Sequence, residues 1–253
     1  MWKLVYGSVR GTSHVVSGQP CQDYCTGSVI GSSVAAVCSD GAGSAELSHL
    51  GSKTAVESFR QVVAHSESAP ERAAIEAWVD AARERVLEEA AAQGTVPRQL
   101  ACTLLAAIVG DGWAVFAQIG DGAIVFNGDE GYELAFWPDT GEYANTTRFL
   151  TDDDYREHLR IEIVARRVRE LAVMTDGLQM LALDFKGVRV HNRFFEPLFR
   201  TVRNNPNEEA LQTSLLEFMD SKRVNERTDD DKTLFLAVRI NPDASPLVPK
   251  PAA

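Results

Sequence analysis

Between Cys102 and Trp137 the chain passes through four short apolar runs, joined at Asp111-Gly112, Asp121-Gly122 and Asn127-Gly128. Such dipeptides favour tight hairpins, because glycine and asparagine accept the positive φ that primed turns require. The stretch therefore predicts a meander over Cys102–Val109, Trp113–Ile119, Ala123–Phe126 and Tyr132–Trp137. Further strands are expected at Leu4–Val9, Thr26–Ile30, Val34–Cys38, Ile161–Val164, Leu171–Met174 and Leu234–Ile240. Helical patterns cover about Leu47–His65, a second stretch from Pro70 to about Gln93, then Asn192–Arg203 and Glu208–Lys222. In the second, Ile75, Trp78, Val79, Ala82 and Val86 share one stripe, and Gly94 and Pro97 end it. Helix pairs set between runs of hairpin-linked strands predict an α+β fold with an antiparallel core, not alternating βαβ units. Two sheets packed face to face, with helix pairs outside, would bury both apolar sheet faces.

The 253 residues are 45% apolar and 24% charged, which excludes collagen-like, disordered and disulfide-scaffold classes. No apolar run approaches the ~20 residues a bilayer span needs. The opening Met-Trp-Lys-Leu-Val-Tyr-Gly lacks the pattern of a signal peptide. With 36 acidic and 25 basic residues the net charge is -11, so nucleic acid and anionic membranes would be repelled. Cys21, Cys25, Cys38 and Cys102 form no C-x-x-C pair, and reduced thiols in a cytoplasm are expected. One domain over residues 1–240 and a flexible tail over 241–253, carrying four prolines, are expected.

Carboxylates recur where strands end. Asp40 follows Val34–Cys38, Asp121 follows Trp113–Ile119, and Asp176 follows Leu171–Met174. Asp230 and Asp231 precede Leu234–Ile240, and Asp23 stands just before another strand. Aspartate is short, so a strand end fixes its oxygens closely. Carboxylates gathered in one place repel unless a cation neutralises them, and oxygen-only ligation suits magnesium or manganese. Asp-Gly is also common in turns for backbone reasons alone, and a hairpin fully explains Asp111-Gly112. Gly41-Ala42-Gly43 is not a dinucleotide-binding turn, since Glu46 stands at the third glycine position and no βαβ unit follows.

Gln22-Asp23, Ser39-Asp40-Gly41-Ala42-Gly43-Ser44, Ile119-Gly120-Asp121-Gly122, Met174-Thr175-Asp176-Gly177 and Asp230-Asp231-Lys232-Thr233 occur in that order. Over about residues 7–240 this order resembles the metal-dependent protein phosphatases of type 2C. Arg10-Gly11-Thr12-Ser13-His14 with Cys21-Gln22-Asp23 resembles the bacterial branch of serine/threonine phosphatases. The resemblance implies a four-layer α-β-β-α sandwich. It implies two Mg2+ or Mn2+ ions, with a possible third, and hydrolysis of phosphoserine and phosphothreonine on proteins by an activated water. Asp40 would bridge both metals, the Gly41 carbonyl would help bind the second, and Asp176 and Asp230 would hold the first. Asp23 would bind directly or through water, Asp121 would support a third ion, and Asp231 would play a supporting part.

Ala42 stands where animal members carry a histidine that protonates the leaving group; His14 or a water on the metal could substitute. The plainer alternative for His14 is a structural imidazole. Arg10 is the candidate phosphate contact, with a surface or fold-bracing arginine as the alternative. The polar excursion Pro138–Tyr155 matches the family's flap beside the site, or else is an ordinary loop. The partners implied are a phosphoprotein substrate, a cognate serine/threonine kinase and a von Willebrand A-type domain protein. A catalytically silent module that binds a phosphoprotein or regulatory partner is the alternative function.

Overall fold

A computed structural model describes residues 1–64, 68–127, 131–137 and 147–240. The chain begins with β1 (Trp2–Val9), the short helix α1 (Thr12–Ser17), β2 (Tyr24–Ile30) and β3 (Ser33–Ser39). Then come α2 (Ser48–Val63) and α3 (Arg72–Ala92), and a 3-10 turn over Pro97–Leu100. β4 (Leu104–Val109), β5 (Ala114–Ile119), β6 (Ala123–Asn127) and β7 (Tyr132–Leu134) follow. The next elements are α4 (Tyr155–His158), β8 (Arg160–Val164), β9 (Glu170–Met174), a 3-10 turn over Asp176–Leu178 and α5 (Gln179–Ala182). β10 (Leu183–Asp184), β11 (Arg189–Val190), α6 (Asn192–Asn204), α7 (Glu208–Met219), α8 (Lys222–Asn225) and β12 (Lys232–Arg239) complete the described chain.

Two five-stranded antiparallel sheets carry the fold, in the orders β1-β12-β9-β6-β7 and β2-β3-β4-β5-β8. β10 and β11 form a small separate hairpin. Strand alternation sends Val34, Ala36, Cys38, Leu105 and Ala107 towards Ile124, Val173, Phe235 and Ala237, which makes the layer between the sheets. The opposite faces differ in what covers them. Ala35, Val37, Leu104 and Ile108 meet Val56, Phe59, Ile75 and Val79 of α2 and α3. Ala172, Met174, Leu234 and Leu236 meet Phe195 and Phe199 of α6 and Leu211 and Leu215 of α7. The apolar stripes of α3 and α6 recur at three- and four-residue spacing, so each helix buries one face. The expected α-β-β-α sandwich is the observed architecture.

Three local expectations are corrected. Asp121-Gly122 is not a hairpin: β5 pairs with β4 and β8, whereas β6 pairs with β9 and β7. The chain crosses from one sheet to the other between Ile119 and Ala123. Asp111-Gly112 does turn the β4–β5 hairpin, with Gly112 at φ 80°. The strand from Tyr132 ends at Leu134, and the last helical pattern breaks after Met219 and restarts at Lys222. Within the excursion Pro138–Tyr155, residues 138–146 lie outside the described residues, as does the tail 241–253.

Candidate metal centre

Register puts the functional strand ends together. Tyr24 pairs with Ser39, Leu104 with Ile119, Met174 with both Ala123 and Leu234, and Val9 with Lys232. The end of β3, the end of β9, the start of β12 and the β5–β6 crossing therefore share one edge of the sandwich. Asp40, Asp176, Asp230 and Asp121 leave from those four points.

Each segment is pinned. The Thr103 N–H donates to the Asp40 carbonyl at 2.8 Å, and the Asp40 N–H donates to Thr103 Oγ1 at 2.9 Å. Gln118 Nε2 donates to the carbonyls of Gly120 and Gly122 at 3.0 and 2.9 Å, bracketing Asp121, and Gln179 Nε2 donates to the carbonyl of Asp121 itself. A Cβ on Gly177 would lie 2.0 Å from the Asp231 carbonyl oxygen, and one on Gly11 would lie 2.4 Å from that of Asp229. Only glycine permits those backbone approaches.

Asp40, Asp121 and Asp176 each offer a carboxylate oxygen, and the three oxygens lie within 4.8 Å of one another. Asp121 Oδ1 and Asp176 Oδ1 are buried with no hydrogen-bond partner among the described residues. The second oxygen of Asp121 accepts from Thr147 Oγ1 at 2.5 Å. Burial, then the charges of Asp23, Asp176, Asp230 and Asp121, push Asp40 well above the usual carboxylate range. Burial pushes Asp176 up to about 6, with Asp121 and Asp230 adding repulsion. Burial also raises Asp230. These oxygens are hard donors, short of partners and mutually repelling, so they fit a divalent oxygen-seeking cation, whose charge would reverse the upward shifts.

The other predicted residues take different positions. Asp23 is buried beneath the cluster; Oδ2 accepts from Thr175 at 2.7 Å and Thr233 at 2.8 Å, and Oδ1 has no partner among the described residues. Burial pushes Asp23 up to about 8, opposed by those two hydroxyls and reinforced by Asp231 and Asp176. Asp230 lies near enough for its charge to act on Asp40 and Asp176, but it is not among the three that share the 4.8 Å limit. Asp231 turns away from the cluster and takes the N–H groups of Gly11 at 2.6 Å and Gln22 at 2.5 Å. His14 is buried, with Nδ1 3.0 Å from Asp231 Oδ1. Arg10 is exposed and donates to the Gln19 carbonyl at 3.3 Å. Gly41 bridges to Cys102 beside Asp40.

Sequence reasoning missed the groups that hold the aspartates: Thr103, Thr147, Thr175, Thr233, Gln118 and Gln179. Gln118 had a readable signal, a lone amide inside the apolar run Trp113–Ile119. Thr175 and Thr233 stand inside quoted motifs, but nothing local says that both reach Asp23.

A family model described as protein phosphatase 2C matches residues 10–220. The chain is 36% identical over 248 residues to serine/threonine-protein phosphatase 3 of Escherichia coli (strain K12), covering 94% of this chain and 98% of that protein. A crystal structure described as a bacterial serine phosphatase matches with a TM-score of 0.65 at 15% identity, covering 96% of this chain and all of the other. RsbX, crystallised in complex with magnesium, matches with a TM-score of 0.55 at 12% identity over 94% of each chain. At those identities the two structures speak for the fold alone. The family match over residues 10–220 and the relative at 36% identity place the chain in the protein phosphatase 2C family.

Proposed function

We propose that this chain is a metal-dependent serine/threonine protein phosphatase that hydrolyses phosphoserine and phosphothreonine on proteins at the edge where Asp40, Asp121 and Asp176 converge. The observation that carries the reading is the 4.8 Å grouping of their oxygens, drawn from three distant stretches of sequence. The Escherichia coli relative named as a serine/threonine-protein phosphatase supports the substrate class.

Asp40, Asp176 and Asp230, with the Gly41 carbonyl, would hold two Mg2+ or Mn2+ ions; Asp23 would add direct or water-mediated support, and Asp121 would serve a third. When bound, such ions activate a water for in-line attack on phosphorus and offset the charge that develops. The chain's own part is positioning. Thr103 sets Asp40, Gln118 and Gln179 set Asp121, and Asp231 sets the turns at Gly11 and Gln22. Arg10 remains the candidate phosphate contact, since its neighbour Gly11 is anchored on Asp231. For His14, the 3.0 Å approach to Asp231 favours a positioning part over proton donation. The silent-module alternative has no comparable observation behind it, because a cluster of half-buried, mutually repelling carboxylates is costly to keep without use.

No helix among the described residues is long and apolar enough to cross a membrane. The four cysteines are free thiols, and we place the protein in the cytoplasm, opposing a serine/threonine kinase, with a von Willebrand A-type protein as the further partner implied by the resemblance. The test is turnover of p-nitrophenyl phosphate with Mn2+. We expect activity that chelation and Asp40→Asn each abolish; activity surviving both would overturn the reading.

A further inference from the structure

A cleft of about 700 Å³ opens beside the carboxylate cluster. Two of its wall residues belong to the site's own scaffold: Ala42 stands two positions after Asp40, and Thr147 donates to Asp121. Its floor is apolar, where Ala42 and Ala101 pack with Phe149. The Pro97–Leu100 turn forms the far wall and is bolted to the segment after Asp40, since Ala42 N–H donates to the Ala101 carbonyl and Leu47 N–H to the Gln99 carbonyl, both at 2.9 Å. A phosphoryl group held at the cluster would therefore lead the chain beside it across this floor.

The charges around the cleft are not equivalent. The acidic rim has partners of its own at the surface. Asp152 Oδ2 accepts the Phe149 N–H at 2.8 Å, and Asp153 lies 3.8 Å from Arg83. Asp154 lies 3.2 Å from His158 and 3.9 Å from Arg148. The side chain of Arg98, on the far wall, is exposed and has no hydrogen bond or ion pair among the described residues; only its backbone carbonyl is taken, by the Ala101 N–H at 3.3 Å. In a chain of net charge -11, an arginine held on a short pinned turn at the mouth of the site is matched by an anion from outside.

We propose that this cleft holds the segment of phosphoprotein flanking the phosphorylated residue, and that Arg98 selects an acidic side chain in that segment. The inference rests on the phosphatase reading and adds a substrate preference to it. An exposed ion pair is worth at most about 1 kcal/mol, or roughly fivefold in an equilibrium.

The experiment compares two phosphothreonine peptides identical except for flanking Glu or Lys, with Mn2+, on the wild-type chain and on Arg98→Glu. The wild type should favour the Glu peptide by about fivefold in kcat/KM, mainly through KM, and less at high salt. Arg98→Glu should invert the preference, a swing of about tenfold or more, with p-nitrophenyl phosphate turnover unchanged. An equal peptide ratio in both proteins, or a parallel loss of p-nitrophenyl phosphate turnover in Arg98→Glu, would overturn the cleft assignment. Failure of the wild type to turn over p-nitrophenyl phosphate at all would overturn the phosphatase reading and the cleft assignment with it. The two failures are distinct, because that small substrate carries no flanking peptide for Arg98 to select.

Discussion

Thr233 Oγ1 donates to Asp23 Oδ2 at 2.8 Å, and this contact ties β12 of one sheet to the entry of β2 in the other. Thr175 reaches the same oxygen from β9's end at 2.7 Å. A buried carboxylate thus links three strands directly under the cluster. Thr233→Val keeps the shape and removes one donor. We expect a loss of about 1–3 kcal/mol in metal-free urea unfolding, the cost of leaving a buried acceptor short of a partner. A change within about 0.3 kcal/mol would mean that the link carries no stability.

Asp40→Asn should have opposite effects on activity and stability. It should abolish Mn2+-dependent turnover, because a carboxylate shared by the site is lost. It should also raise the melting temperature in chelator, because burial and four neighbouring aspartates disfavour the Asp40 charge. Each 1 kcal/mol of relieved repulsion corresponds to about 2–4 °C in a chain of this size. A lower melting temperature than wild type in chelator would contradict the repulsion argument.

The raised carboxylates also set a pH dependence. Asp23 and Asp176, at about 8 and about 6 in the fold, hold protons that an unfolded chain would release near 3.8. The folded form therefore binds more protons across that window, and metal-free stability falls as pH rises through it. The associated stability is complete below about pH 3.8 and is lost as pH climbs past about 6 and then about 8. Cations must displace those protons, so stabilisation by Mn2+ should grow with pH. Melts at pH 6 and pH 8, with chelator and with Mn2+, check both signs. A Mn2+-induced shift that is smaller at pH 8 would be the contrary result.

Asp231 accepts two backbone N–H groups and approaches His14, contacts from which we expect it to hold turns rather than to ligate. Asp231→Ala should cost about 2–5 kcal/mol of stability by stranding Gly11 and Gln22. The number of Mn2+ ions bound by the folded fraction should stay at the wild-type value in calorimetry. A lost ion at unchanged stability would make Asp231 a ligand.

The sandwich was legible because its strands are short apolar runs that end at turn residues, and its helices bury regular stripes such as Ile75, Val79, Ala82 and Val86. The crossing at Asp121 was not. Asp111-Gly112 and Asp121-Gly122 are the same dipeptide between similar runs, and only pairing with β8 and β9 separates a hairpin from a change of sheet. α1 escaped notice for a related reason: Val15 and Val16 are exposed, so its six residues show no buried stripe. The aspartates themselves were readable from strand ends. The threonines and Gln179 that steady them were not, because each of those hydrogen bonds joins segments that meet only in the folded chain; Gln118, which reaches Gly120 and Gly122 within its own stretch, was the exception.

If Asp40, Asp176 and their neighbours surround divalent ions, anomalous diffraction from a crystal grown with Mn2+ should show at least two manganese peaks at the strand edge, with Asp40 oxygens between them and Asp176 on one. Manganese absent from that edge, or bound only elsewhere on the surface, would contradict that placement.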